Sequence, residues 1–112
     1  MVTFGDLERN GNYSNMDSRF RMPNYDNSDN KYYSFNSGNA HFVTIDLNFY
    51  NDASESRTKY PNKRGIIDWL KNDLAKANER RKDFPWIIFF SHESPYCSDV
   101  KNEICKNGYV MF

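Results

Sequence analysis

Five consecutive large apolar residues, Trp86-Ile87-Ile88-Phe89-Phe90, lie between Pro85 and Ser91 and constrain the fold more than any other stretch. The run is far too short to cross a bilayer as a helix, which takes about 20 apolar residues. Because it has no polar position, it reads as a strand buried on both faces, as in a parallel sheet covered by helices. His92 follows Ser91, where that strand would end. Ligands of open α/β sheets collect beyond the carboxyl ends of the strands, so His92 stands where chemistry is expected. A lone histidine there is more often an ordinary hydrogen-bonded loop residue, and its neighbours must decide.

Upstream, Tyr32-Tyr33-Ser34-Phe35 and Ala40-His41-Phe42-Val43-Thr44-Ile45 are rich in aromatic and branched residues. Asn36-Ser37-Gly38-Asn39 between them predicts a hairpin loop. Further on, Ile66, Leu70, Leu74 and Ala77 recur at helical spacing and Ile67 widens the stripe. That pattern predicts a helix from about Lys63 to about Arg81, stopped before Pro85. Strand 40–46, this helix and strand 86–91 form a β-α-β unit, whose crossover makes the strands parallel. Asp46 and His92 then share one edge of the sheet. Asp6 joins them if Met1 to Phe4 is the tail of another parallel strand. Asp46 is placed for function, but an Asp at a strand exit is more often a turn or capping residue. His41, at the far end of its strand, reads as structural. Asn10 to Asn30 and Asn48 to Lys63 read as polar connections interrupted by Pro23 and Pro61. The heavy use of Asn reads as a compositional habit.

Fifteen basic residues balance fifteen acidic ones. That balance gives no electrostatic attraction toward nucleic acid or an anionic membrane. The length suits one domain or a piece of one, and the opening residues have neither the basic start nor the apolar centre of a signal peptide. Cys97 and Cys105 lack the Cys-x-x-Cys spacing of zinc sites. They read as a local disulfide, which needs an oxidising compartment, or as two free thiols. Asn12-Tyr13-Ser14 is a glycosylation sequon, a triplet that an Asn-rich chain also produces by chance.

Several motifs carry a more specific message: Arg19-Phe20-x-Met22-Pro23, Tyr32-Tyr33-Ser34-Phe35, Ala40-His41 and Trp69-Leu70-x-x-Asp73-Leu74-x-x-Ala77-Asn78. They continue with Pro85-Trp86-Ile87-Ile88, His92 and Tyr96-Cys97-Ser98 followed by Cys105. In order and spacing the chain resembles the purple acid phosphatases, animal-type branch, of the calcineurin-like metallophosphoesterases. The resemblance implies an α/β (α+β) fold, a fragment of a β-sandwich core flanked by helices. It implies hydrolysis of phosphate monoesters at acid pH by a binuclear metal centre, iron beside iron, zinc or manganese. His92 matches the family histidine that ligates the divalent metal. Cys97 and Cys105 match a local disulfide pair and Asn12 a glycosylated sequon, which together imply a secreted or lysosome-like location.

The departures from the family matter as much. Gly5-Asp6-Leu7-Glu8 stands where the family has Gly-Asn-His-Glu. Asp6 replaces the metal-ligating Asn with another hard oxygen donor. Leu7 replaces a histidine that helps bind phosphate and moves a proton to the leaving group, and leucine does neither. Losing one general acid commonly costs about two to four orders of magnitude in rate. Glu93 and Ser94 replace the usual Arg-Pro. The family's earlier aspartate motifs and its final Gly-His-x-His segment are not in these 112 residues. Residues 1–112 are therefore expected to be the central part of a catalytic domain, incomplete at both ends and inactive alone. The alternative is a catalytically impaired pseudoenzyme that uses the fold for binding or self-assembly.

Overall fold

The computed structural model describes residues 1–5, 7–8, 13–28, 30–47 and 63–92. The elements in chain order are α1 (Ser14–Arg19), α2 (Tyr25–Ser28), β1 (Tyr32–Ser37), β2 (Ala40–Ile45), α3 (Lys63–Glu79) and β3 (Trp86–Phe90). The strands form one sheet in the order β1-β2-β3. β1 pairs with β2 antiparallel and β2 with β3 parallel, as the hairpin and the β-α-β crossover require. The fold is mixed α/β, compatible with part of a metallophosphoesterase core.

Alternation along the strands sends Tyr32, Val43, Ile45, Ile87 and Phe89 toward α3. Tyr32, Val43, Ile45 and Leu47 pack with Ile66 and Leu70 of the helix, and Trp69, Leu74, Ile87 and Phe89 close around them. Each such aliphatic or aromatic side chain contributes about 1.5–3 kcal/mol when fully buried. On the opposite face Phe35 stacks on Phe42 with ring centroids 5.0 Å apart, and Tyr33 meets the Phe90 ring at 6.3 Å. The N-terminal segment docks here, where the Tyr33 hydroxyl donates to the Val2 carbonyl. Thr44 Oγ1 lies 3.4 Å from Thr3 Oγ1.

Four expectations are corrected. β3 is not buried on both faces: among the described residues it is an edge strand, with Trp86 64% and Ile88 41% exposed, because α3 covers only the face carrying Ile87 and Phe89. Met1 to Phe4 is not a strand; it makes no ladder and is held by the contacts to Tyr33 and Thr44. The connection from Asn10 to Asn30 contains the helices α1 and α2. The hairpin loop is shorter than expected, since Ser37 pairs with Ala40 and leaves only Gly38 and Asn39 to turn. Gly38 has φ 57°, a left-handed conformation that costs glycine little.

Candidate functional site at the strand exit

Thr44 faces Phe90 in the last rung, so Asp46 and His92 each lie two residues beyond it on the same edge. That part of the expectation holds. The two side chains differ in setting: Asp46 is 1% exposed whereas His92 is exposed. The Asp46 N–H donates to the Lys31 carbonyl at 2.6 Å, tying the end of β2 to the start of β1. Asp46 belongs to the buried frame beneath the edge.

The N-terminal segment reaches this edge from the other face. Phe4 is buried, and its ring meets Tyr13 edge-on at 5.0 Å. The Lys31 ammonium lies 3.8 Å from the Phe4 ring centroid and 3.7 Å from that of Tyr13, with Asp17 Oδ2 at 3.8 Å. A buried cation against aromatic faces is attracted by their quadrupoles. Tyr13 itself has φ 62°, unusual for a bulky residue, and its N–H donates to the Glu8 carbonyl at 2.9 Å. Asn30 fixes the connection ahead of β1: its Nδ2 donates to the Phe20 carbonyl at 2.9 Å, while its Oδ1 accepts from the Met22 N–H at 2.7 Å.

These anchors place Gly5 directly against His92. A Cβ on residue 5 would lie 3.2 Å from His92 Nδ1, 3.3 Å from its Cε1 and 3.1 Å from Glu8 Oε2. The Gly5 N–H donates to that same Glu8 oxygen at 2.9 Å. Imidazole and carboxylate thus converge on one glycine at the carboxyl end of β3. Beside them Leu7, Glu8, Tyr13, Asn15, Met16, Arg19 and Phe20 line a concavity of about 340 Å³. Leu7 is 80% exposed, an apolar side chain presented to solvent at the position where the resemblance implies histidine. Asp6, Asn12, Glu93, Ser94, Cys97 and Cys105 lie outside the described residues.

His41 is structural, as expected, and its partners were not anticipated. Its Nδ1 lies 2.7 Å from Asn36 Oδ1 and its Nε2 2.9 Å from Asp73 Oδ2. The Ser34 hydroxyl donates to Asp73 Oδ1 at 2.6 Å. Serine, histidine and aspartate are close, but the Ser34 proton goes to Asp73 rather than His41, so no nucleophile is activated. Two parts of the strand-exit site escaped the sequence reading. Lys31 carries no sequence signal of burial, and the role of Gly5 shows only when two segments distant in sequence meet. Among the described residues no three His, Cys, Asp or Glu side chains form a metal-holding group. Nor is any helix among them long and apolar enough to cross a membrane.

Comparison with known proteins follows the same lines. Acid phosphatase type 7 of Mus musculus is 34% identical over 105 residues, covering 94% of this chain and 23% of the relative. Its Homo sapiens counterpart is 33% identical with the same coverage. Purple acid phosphatase 13 of Arabidopsis thaliana is 34% identical over 83 residues, 72% of this chain and 13% of that protein. No family model and no solved structure matches. The chain spans about a quarter of the length of the animal relatives it matches, 23% in both of the first two. Across nearly all of its own residues, this chain belongs to the purple acid phosphatase family.

Proposed function

We propose that this chain supplies the central part of a metal-dependent acid phosphatase acting on phosphate monoesters, with His92 and Asp6 as metal ligands. The observation that carries the reading is the closeness of Gly5 to His92, such that a Cβ on residue 5 would lie 3.2 Å from the imidazole Nδ1. It brings Gly5 and Glu8 to the strand exit beside His92, which supports a shared site there. The donor types fit: imidazole and carboxylate suit iron, zinc and manganese. Their number does not suffice, so the remaining ligands of a binuclear centre would come from beyond residues 1–112. Such a centre, when bound, supplies Lewis acidity and a hydroxide nucleophile. This chain's own contribution is to hold the His92 ring against Gly5 and to border the adjoining concavity. Arg19 on the wall of that concavity offers a cation to an anionic substrate.

The exposed Leu7 supports a second reading, a pseudoenzyme that keeps the fold for binding or assembly. One experiment separates the two. The complete polypeptide containing this segment is assayed for bound metal and for hydrolysis of an aryl phosphate, then again as Leu7→His. Bound metal, weak turnover and a gain of about ten-fold or more on restoring histidine support the phosphatase site, about 1.4 kcal/mol of barrier. Bound metal with no gain and no turnover favours the pseudoenzyme. Absence of metal from both forms overturns the ligand assignment. The reading carries with it a Cys97–Cys105 disulfide, a glycan on Asn12 and a secreted or lysosome-like location. Two alkylatable thiols in unreduced, denatured protein would remove the disulfide.

A further inference from the structure

The interface between α3 and the sheet changes character along its length. Near the strand-exit edge it is apolar, with Ile66 and Leu70 packed on Val43 and Ile45. Toward the other end the same rows turn polar: Ser34 and Asn36 follow Tyr32 on β1, and His41 precedes Val43 on β2. Asp73 and Lys76 succeed Leu70 on α3, and Arg80 follows just beyond its last residue. Helix and sheet there leave an open concavity of about 230 Å³, lined in part by His41, Asp73, Lys76, Ala77, Arg80 and Phe84. His41 faces Ile87, near the start of β3 and five residues before His92. At about 3.3 Å per residue the concavity lies roughly 17 Å from the strand-exit site.

The acidic group of this concavity is already occupied, since Asp73 accepts from Ser34 at 2.6 Å and faces His41 at 2.9 Å. The basic groups are not matched in the same way. Among the described residues no hydrogen bond or ion pair engages the Lys76 side chain. The Arg80 guanidinium lies 4.7 Å from the Phe84 ring, and its Nε is 3.7 Å from Asp83 Oδ2 in a pair whose side chains are 57% and 65% exposed. Pairs so exposed hold their partners weakly. The result is two available cations one helical turn apart, on a wall that also carries an aromatic ring.

We propose that this concavity binds a small aryl oxyanion, its charged head between Lys76 and Arg80 and its ring against Phe84 and Ala77. The site is independent of the phosphatase reading at His92. The probe is phenylphosphonate, which has no ester bond to hydrolyse, titrated calorimetrically into the complete polypeptide. Saturable binding is expected, weakened about ten-fold or more in the Lys76→Gln/Arg80→Gln variant and retained within about three-fold when the charges are exchanged as Lys76→Arg/Arg80→Lys. Lysine acetylation read by mass spectrometry gives a measurement that needs no variant: saturating phenylphosphonate should protect Lys76. Binding that is unchanged in the Gln variant with Lys76 unprotected belongs to the strand-exit site and overturns the proposal. So does the absence of binding.

Discussion

At residue 5 a single methyl group separates two geometries. The backbone of Gly5 does not require glycine; the need comes from space, because an added Cβ would meet the His92 ring at 3.2 Å and Glu8 Oε2 at 3.1 Å. Contacts that short force the neighbour to yield by a few tenths of an ångström. The ring follows β3 by two residues and the carboxylate accepts from the Gly5 N–H at 2.9 Å, so yielding displaces one or both. Gly5→Ala should therefore weaken divalent-metal binding by the complete polypeptide about ten-fold, the lower end of what groups supporting a metal ligand typically contribute. Global stability should fall by less than about 1 kcal/mol, since no core side chain is lost. Metal titration and denaturant unfolding of the same sample test both halves. Equal metal affinity in the two proteins would show that the contact does not orient His92.

At the scale of elements, α3 is held by two kinds of contact that should respond differently to mutation. Leu70, 1% exposed in the apolar half, leaves a cavity when truncated. Leu70→Ala should cost about 2–5 kcal/mol in urea unfolding. Asp73 in the polar half is the common partner of Ser34 and His41. Asp73→Ala should cost about 1–3 kcal/mol by leaving those groups without their acceptor. Adding His41→Phe to that variant should recover part of the loss, because the stranded imidazole goes with it. The apolar half was legible in the sequence: Ile66, Leu70, Leu74 and Ala77 mark α3 by periodicity, and the hairpin and crossover follow from composition and length. The polar half was not, because nothing in the spacing of Ser34, His41 and Asp73 says that three elements converge. The exposed side of β3 escaped for a related reason. Five apolar residues say that a strand forms, but the number of neighbouring layers depends on what covers it. Asparagine was likewise underread, since Asn30 organises the connection between α1 and β1 through bonds at 2.7 Å and 2.9 Å. The strand-exit site was legible as a position, through His92 after its strand, and not as a packing arrangement.

For the molecule as a whole, the two adjacent tyrosines of β1 tie the sheet to what lies on either side. Tyr32 points to the helix, its ring 4.7 Å from Trp69 and its hydroxyl donating to the Asn27 carbonyl at 3.2 Å. Tyr33 points the other way, fully buried, and bonds Val2. Burial pushes the ionisation of both phenols above the ordinary value of 10.0. The sign of the consequence follows from linkage: the unfolded chain releases these protons near pH 10 while the folded chain still holds them. Below that pH both states carry neutral phenols and the two groups add no pH dependence. Above it, the unfolded state gains from ionisation first, so stability falls as pH rises from about 10 toward the raised folded values. Urea midpoints taken from neutral pH to strongly alkaline pH should accordingly be insensitive to the tyrosines at first and decline beyond about pH 10. Tyr33→Phe should lower stability at neutral pH by about 0.5–1.5 kcal/mol through loss of the bond to Val2. The same variant should have a shallower alkaline decline, because one of the phenols whose ionisation burial raises is gone. A parent and variant with parallel alkaline slopes would show that Tyr33 does not contribute to the loss.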